Sequence, residues 1–242
     1  MKAFAEEVKR MELNSIAFIP DGNRRYAKLA GYSLSNTYYS GTQKAWEVIN
    51  WMKKYPKVKF GTFYTLSLEN LGRSNAELNV LFRIFEKELD KVRHQPIIQE
   101  GKIKLKFIGR REMFPKKLRV KMNDAEEFTE NNKGKTINLA LGYNGQSEIV
   151  DAAKKLAVDY KENNLDLEAM DENAFRKYLY ADFEGPDLII RTGQTQRLSG
   201  FLTYQSAYSE LYFSGKLWPE FSEQDLKLAV DSYHERTRKF GK

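Results

Sequence analysis

The sequence predicts an α/β fold: a single domain built on a mostly parallel, six-stranded sheet flanked by helices. Three observations point there. Short runs rich in β-branched and aromatic residues alternate with longer stretches of helical periodicity. Polar turns, several with glycine, follow those runs at their carboxyl ends, where open α/β sheets hold ligands. The 242 residues also run on without an internal repeat, a low-complexity tract or a linker rich in Pro, Gly or Ser. Residues 1–242 therefore read as one domain, long enough to bury a core without staples.

Residues 2–12 read as a short amphipathic helix. Ile16-Ala17-Phe18-Ile19 is too short for a buried helix and suits a buried strand, closed by Pro20, which has no N–H for the ladder. Asp21 follows, then Gly22 and Asn23, which tolerate the backbone angles of a tight turn. Arg24 to Leu29 opens a helix with Gly31 as its stop. Residues 32–40 read as a loop or frayed helix, and 42–54 as a helix with Ala45, Val48, Ile49 and Met52 on one face. Further strands are expected at 58–66, 103–108, 136–141, 186–190 and 210–213. Ser74-Asn75 caps a long helix bearing Leu78, Leu81, Phe82, Phe85 and Leu89, and other helices are expected at 115–131, 147–160, 174–180 and 221–239.

Composition narrows the chemistry. With no cysteine, disulfides, thiolate metal sites, iron–sulfur clusters and a Cys nucleophile are excluded, and a reducing compartment fits. His94 and His234 are the only histidines and sit in charged surroundings, which disfavours Ser–His–Asp chemistry and zinc. Forty Lys and Arg against 33 Asp and Glu give a net charge of +7, which suits an anionic ligand, a membrane surface or nucleic acid without choosing among them. No apolar run reaches membrane-span length, and the amino terminus is charged throughout. A soluble, cytoplasmic protein is expected, with peripheral membrane contact left open.

The stretch 15–31 puts a carboxylate, the free N–H groups of a helix start and two arginines at one point. Helix starts and arginine forks both attract phosphate. A lone carboxylate among them suits a hard divalent ion such as Mg²⁺, so the stretch reads as a metal–diphosphate site. A second cluster follows the 186–190 strand, where Arg191, Arg197 and Ser199 form an anion cradle, with Glu210 shortly after. Glu210 could share a metal with Asp21 or pair with an arginine. Two anion sites imply two phosphate-bearing substrates. The bland reading of the first cluster is an ordinary β–α turn with a surface Asp and solvated arginines, and of the second a set of surface salt bridges, which contribute little.

Five blocks taken in order resemble the cis-prenyltransferases, the undecaprenyl diphosphate synthase family: FIPDGNRRYA, YTLSLENLGRS, INLALGYNGQSEI, PDLIIRTGQTQRLSGFLTYQSAYSELYF and LWPEF. The resemblance implies a homodimer with a hydrophobic tunnel and Mg²⁺-dependent condensation of an allylic diphosphate with isopentenyl diphosphate. It implies that Asp21 is catalytic and holds the metal, with Glu210 at a second metal position. Gly22, Asn23, Arg24 and Arg25 would cradle the allylic diphosphate, with Tyr26 where the family usually has Trp. Ser67, Glu69, Asn70 and Arg73 match the second block, and Asn70 would assist proton removal. Arg191, Arg197, Leu198 and Ser199 match the homoallylic diphosphate site.

There are departures. Thirteen and seventeen residues after Asp21 the family usually has Arg and His, where this chain has Leu34 and Tyr38. Leu71 replaces a Trp, Gln194-Thr195-Gln196 replaces Gly-Glu-His, and Lys239-Phe240-Gly241 replaces Arg-x-Gly. Leu34 and Tyr38 also resemble the irregular branch, the lavandulyl and cyclolavandulyl diphosphate synthases, which join dimethylallyl units in a non-head-to-tail way. Two further alternatives stand beside the active enzyme: a catalytically weak subunit serving an active partner, and a basic nucleic-acid-binding module. Arginines at strand ends, rather than along one helix, argue against the last.

Overall fold

The computed structural model describes residues 12–235. Strands β1 (Ser15–Ile19), β2 (Phe60–Ser67), β3 (Ile103–Ile108), β4 (Lys135–Tyr143), β5 (Leu188–Arg191) and β6 (Glu210–Phe213) form one sheet in the order β3-β4-β2-β1-β5-β6. Every pairing is parallel. The expected mostly parallel sheet is thus wholly parallel. That is why β1 reads as a continuous apolar run rather than an alternating one: all five of its residues are buried.

Among the described residues the helices are α1 (Asn23–Ala30), α2 (Leu34–Trp51), α3 (Asn75–Lys91), α4 (Pro96–Gln99), α5 (Lys116–Thr129), α6 (Gly145–Lys161), α7 (Glu172–Arg176) and α8 (Glu223–Glu235). The larger core lies on one face of the sheet, where Phe18, Phe63 and Leu66 meet Val48, Ile49, Leu81, Ile84 and Trp218. A smaller core on the other face gathers Tyr64, Tyr143, Phe183 and Phe201. None of the described helices is long and apolar enough to cross a membrane.

Some boundaries differ from expectation. Residues 34–40 of the polar stretch are the start of α2. Ser33 caps it by accepting from the Asn36 N–H at 3.1 Å, and Thr37 and Tyr38 are buried against the body of the protein. Of the two expectations, loop or frayed helix, the helix is what forms, and burial against the body of the protein makes it regular. The short α4 was not expected. The helix expected at 174–180 is the earlier and shorter α7, capped by Asp171. The helix expected over 2–12 and the end of the terminal helix beyond Glu235 lie outside the described residues, as does Lys239-Phe240-Gly241.

Candidate active site

The first corner is built by the backbone. β1 ends at Ile19, and the Asp21 N–H turns back to the Ile19 carbonyl at 2.8 Å. Gly22 then takes φ +113°, a left-handed angle that a side chain would resist. A Cβ there would also come within 2.9 Å of Leu217. The glycine therefore allows Asp21 to stand at the strand's end with α1 starting directly behind it. Thr192 Oγ1 and the Trp218 N–H both donate to the Asp21 carbonyl, at 2.8 and 3.0 Å, and fix the turn from the far side.

The Asp21 carboxylate is gripped by two arginines. Its Oδ2 accepts from Arg191 Nη2 at 2.8 Å, and its Oδ1 lies 3.2 Å from Arg25 Nη2. The Asp21 side chain keeps 32 % of its exposure while Arg191 keeps 5 %. Arg191, the last residue of β5, also donates through Nη1 to Ser199 Oγ at 2.9 Å and to the Arg197 carbonyl. Its buried Nε has no partner among the described residues. A guanidinium N–H buried without a partner is costly, and a ligand oxygen is one way to satisfy it.

A second corner follows β2. Ser67 Oγ accepts from the Asn70 N–H at 3.2 Å and shapes the 3₁₀ turn Glu69–Gly72. Arg73 Nη2 donates to Asn70 Oδ1 at 2.9 Å, so the amide's NH₂ end is the one left to face a ligand. Arg73 Nη1 donates to the Tyr38 hydroxyl at 3.1 Å, and that hydroxyl donates to Glu77 Oε1 at 2.5 Å. Burial, helped by the Glu77 carboxylate, pushes the Tyr38 hydroxyl up to about 12. Tyr38 is therefore not simply a lost polar contact. It is a neutral link that holds Arg73 onto Asn70. Glu69 accepts from Asn144 Nδ2 at 2.5 Å, and Asn144 in turn caps α6.

The two corners open into one cavity of about 990 Å³. Asp21, Gly22, Asn23, Arg24, Arg25, Ser67, Glu69, Asn70, Arg73, Arg191, Leu198 and Ser199 all line it. Behind that polar mouth the walls are apolar: Ala45 and Ile49 of α2, Leu81, Ile84 and Phe85 of α3, and Leu105, Leu139 and Leu141 of the sheet.

Three expected residues are not in that lining. Tyr26 sits beside Tyr32, ring centroids 6.1 Å apart. Arg197 is exposed and contributes its carbonyl to Arg191. Glu210 is at the amino end of β6, in register with Leu188 and so with Ile16. β1 runs on for three residues beyond Ile16 to Ile19, about 10 Å at strand rise, and Asp21 stands past that end. Within one chain Glu210 does not share the rim with Asp21. Leu34 is also outside the lining, at the exposed start of α2. The sequence reading missed Tyr64, whose hydroxyl donates to the carbonyls of Tyr143 and Ser199 at 3.2 Å each, and missed Asn144 and Thr192. All three stand inside the quoted blocks; Asn144 and Thr192 directly follow strands, which was the available signal, whereas Tyr64 lies within β2.

The comparisons agree with this geometry. The family described as "Putative undecaprenyl diphosphate synthase" matches residues 19–241. An enzyme of Pyrobaculum aerophilum, named tritrans,polycis-undecaprenyl-diphosphate synthase (geranylgeranyl-diphosphate specific), is 40 % identical over 232 residues, covering 94 % of this chain and 95 % of that protein. An isoprenyl transferase of Thermus thermophilus is 38 % identical, covering 100 % of this chain and 94 % of that one. Among solved structures, lavandulyl diphosphate synthase from Lavandula x intermedia, in complex with dimethylallyl diphosphate, superposes with a TM-score of 0.90 at 34 % identity, covering 96 % of this chain and 99 % of that one. With the match running almost end to end, and the strand-end residues gathered at one mouth, this chain belongs to the undecaprenyl diphosphate synthase family of prenyltransferases.

Proposed function

We propose that this chain is a Mg²⁺-dependent cis-prenyltransferase, condensing an allylic diphosphate with isopentenyl diphosphate to give a Z-configured polyprenyl diphosphate. The observation that carries the reading is Arg191. It is a buried fork between Asp21 and Ser199, with one N–H unpartnered, at the polar mouth of a cavity that turns apolar behind it.

The residues fit the metal. Mg²⁺ is commonly held by one or two carboxylates together with substrate phosphate oxygens and water. Asp21 offers one partly exposed carboxylate, and no group of three His, Asp or Glu that could hold a metal gathers among the described residues. That donor set suits a metal arriving with diphosphate rather than a closed protein cage. Bound there, Mg²⁺ would neutralise charge on the diphosphate oxygens. Glu210 has no part in this chain's own rim, so its metal role rests on the homodimer that the resemblance implies.

The α1 start, Asn23, Arg24 and Arg25 take the allylic diphosphate, and Arg191 and Ser199 take isopentenyl diphosphate. Breaking the allylic C–O bond leaves negative charge on the departing diphosphate. Arg25, already held by Asp21, stabilises that charge without having to reorganise. Asn70, oriented by Arg73, would assist proton loss from the isopentenyl unit as the new double bond forms, its NH₂ end steering the diphosphate oxygen that accepts the proton. The apolar walls take the growing tail, and an apolar product of this kind would be released at a membrane surface.

A second reading is irregular coupling of two dimethylallyl units. It is favoured by the likeness to the lavandulyl synthase, a structure holding dimethylallyl diphosphate. One experiment covers both: purified chain, Mg²⁺, labelled isopentenyl diphosphate and a series of allylic diphosphates, with products separated by chromatography. Linear Z products with isopentenyl diphosphate support the first reading. A branched ten-carbon product from dimethylallyl diphosphate alone replaces it with the second. No turnover with any primer overturns both and leaves a subunit that serves a partner.

A further inference from the structure

The charged residues around the cavity gather at its mouth, with one exception. Glu88 lines the cavity among Leu81, Ile84, Phe85 and Leu89, and is only 8 % exposed. Its Oε2 accepts from two residues of α2, Gln43 Nε2 at 3.1 Å and Trp46 Nε1 at 3.3 Å. Its Oε1 accepts from Lys91 Nζ at 2.8 Å, and the Lys91 side chain, 45 % exposed, reaches in from solvent. Packing α2 on α3 does not require this. A buried ion pair is weak evidence for stability, and apolar residues of similar volume often do as well.

The position of Glu88 along α3 gives it a use. α3 starts at the mouth, where Glu77 and Arg73 meet Tyr38. Glu88 comes eleven residues after Glu77, about 16 Å down the helix at 1.5 Å per residue. Each isoprene unit adds four carbons to the main chain, about 5 Å when extended. The third unit of a tail anchored at the mouth therefore comes level with Glu88. A tail pushed further must lie against a carboxylate and its donors without replacing any hydrogen bond they lose, which is unfavourable.

We infer that Glu88, held by Gln43 and Trp46, is a polar stop that limits the tail to about three isoprene units. It determines which primers and products the cavity accepts, and it rests on the prenyltransferase reading above. Saturated alkyl diphosphates of ten, fifteen and twenty carbons, which cannot react, test it by calorimetric titration. With the wild-type chain, affinity is expected to rise from ten to fifteen carbons and to fall at least tenfold at twenty. Glu88→Met, apolar and of similar length, is expected to abolish that fall, while Glu88→Gln, still polar, is expected to keep it. In condensation assays Glu88→Met is expected to lengthen the main product by at least one isoprene unit. Equal wild-type affinity for the fifteen- and twenty-carbon ligands overturns the stop by itself, even if no variant folds. A fall that persists in Glu88→Met also overturns it. No binding at any length overturns both the stop and the reading beneath it, whereas binding without a length penalty overturns the stop alone.

Discussion

Two arginine–aspartate pairs in this protein look alike and behave differently. On the flank, Arg110 meets Asp151 as a closed fork: Nε and Nη2 each reach one carboxylate oxygen at 2.9 Å, and the Tyr180 hydroxyl donates to the same carboxylate. At the mouth, Arg191 meets Asp21 through one nitrogen only. Its second terminal nitrogen serves the Arg197–Ser199 loop, and its Nε is buried without a partner among the described residues. The flank pair lies outside the cavity lining, whereas the mouth pair lies within it. The closed pair ties β3's exit to α6 and needs nothing further. The open pair keeps hydrogen-bonding capacity in a buried place, which has a use only if something else comes to bind. Charge alone does not distinguish the two; the state of the fork does.

The sharpest way to break this contrast is to remove the carboxylate at the mouth. Asp21→Ala is expected to lower condensation by roughly 10²–10³-fold or more while the thermal melt stays cooperative, since a preorganised group is lost from a partly exposed position. Steady-state kinetics beside a melting curve check it, and retained activity removes Asp21 from the mechanism. Next comes the fork itself. Arg191→Lys keeps the charge but cannot reach Asp21 and Ser199 together, so kcat/KM is expected to fall about tenfold to a hundredfold. Arg110→Lys is expected to leave kcat/KM unchanged. If the two variants behave alike, the contrast is wrong.

A smaller effect is expected at Tyr38. Tyr38→Phe removes one of the two contacts of Arg73 Nη1, leaving its direct pair with Glu77 Oε1 at 3.2 Å, and should cost several-fold in kcat, about 1 kcal/mol for one hydrogen bond. Because the Tyr38 hydroxyl titrates only near 12, it is neutral throughout pH 6–9, and the wild-type and Phe pH profiles should have the same shape there. A profile that changes shape would mean that Tyr38 carries a proton in the reaction.

Much of the mouth was legible in the sequence because its first half is local. Strand, Pro20, Asp21, Gly22 and helix follow one another, and each residue type constrains its neighbour. Arg191 lies 170 residues from Asp21 along the chain, yet could be placed because ligand-bearing residues in a parallel sheet gather at the strands' carboxyl ends. Glu210 shows the limit of that rule. It lies close to the second cluster in sequence, but it starts its strand rather than ending it, and strand direction sends it to the opposite edge. Tyr38 and Glu88 were illegible for another reason. YSLSNTYYS reads as loop or frayed helix, and in FEKELDK only Phe85 and Leu89 mark the apolar face; the packing of α2 on α3 is what buries Thr37, Tyr38 and Glu88.

The smallest expected effect belongs to the closed pair. The Arg110 hydrogen bonds hold the Asp151 carboxyl below its usual value of 3.8. A carboxylate whose pKa is lowered on folding stabilises above its unfolded value and loses that contribution as pH falls through the folded one. Arg110→Met should therefore cost at most about 1 kcal/mol near neutral pH, with the gap to wild type narrowing below about pH 4 in denaturant titrations. A gap that widens in acid would contradict the assigned cause.

The most direct test of the open mouth is the affinity for inorganic pyrophosphate with Mg²⁺, measured by calorimetry on wild type, Arg191→Lys and Arg110→Lys side by side. The expected result is a loss of at least tenfold for Arg191→Lys and none for Arg110→Lys. Equal affinities across all three would mean that the unpartnered Nε at the mouth is not where the diphosphate binds.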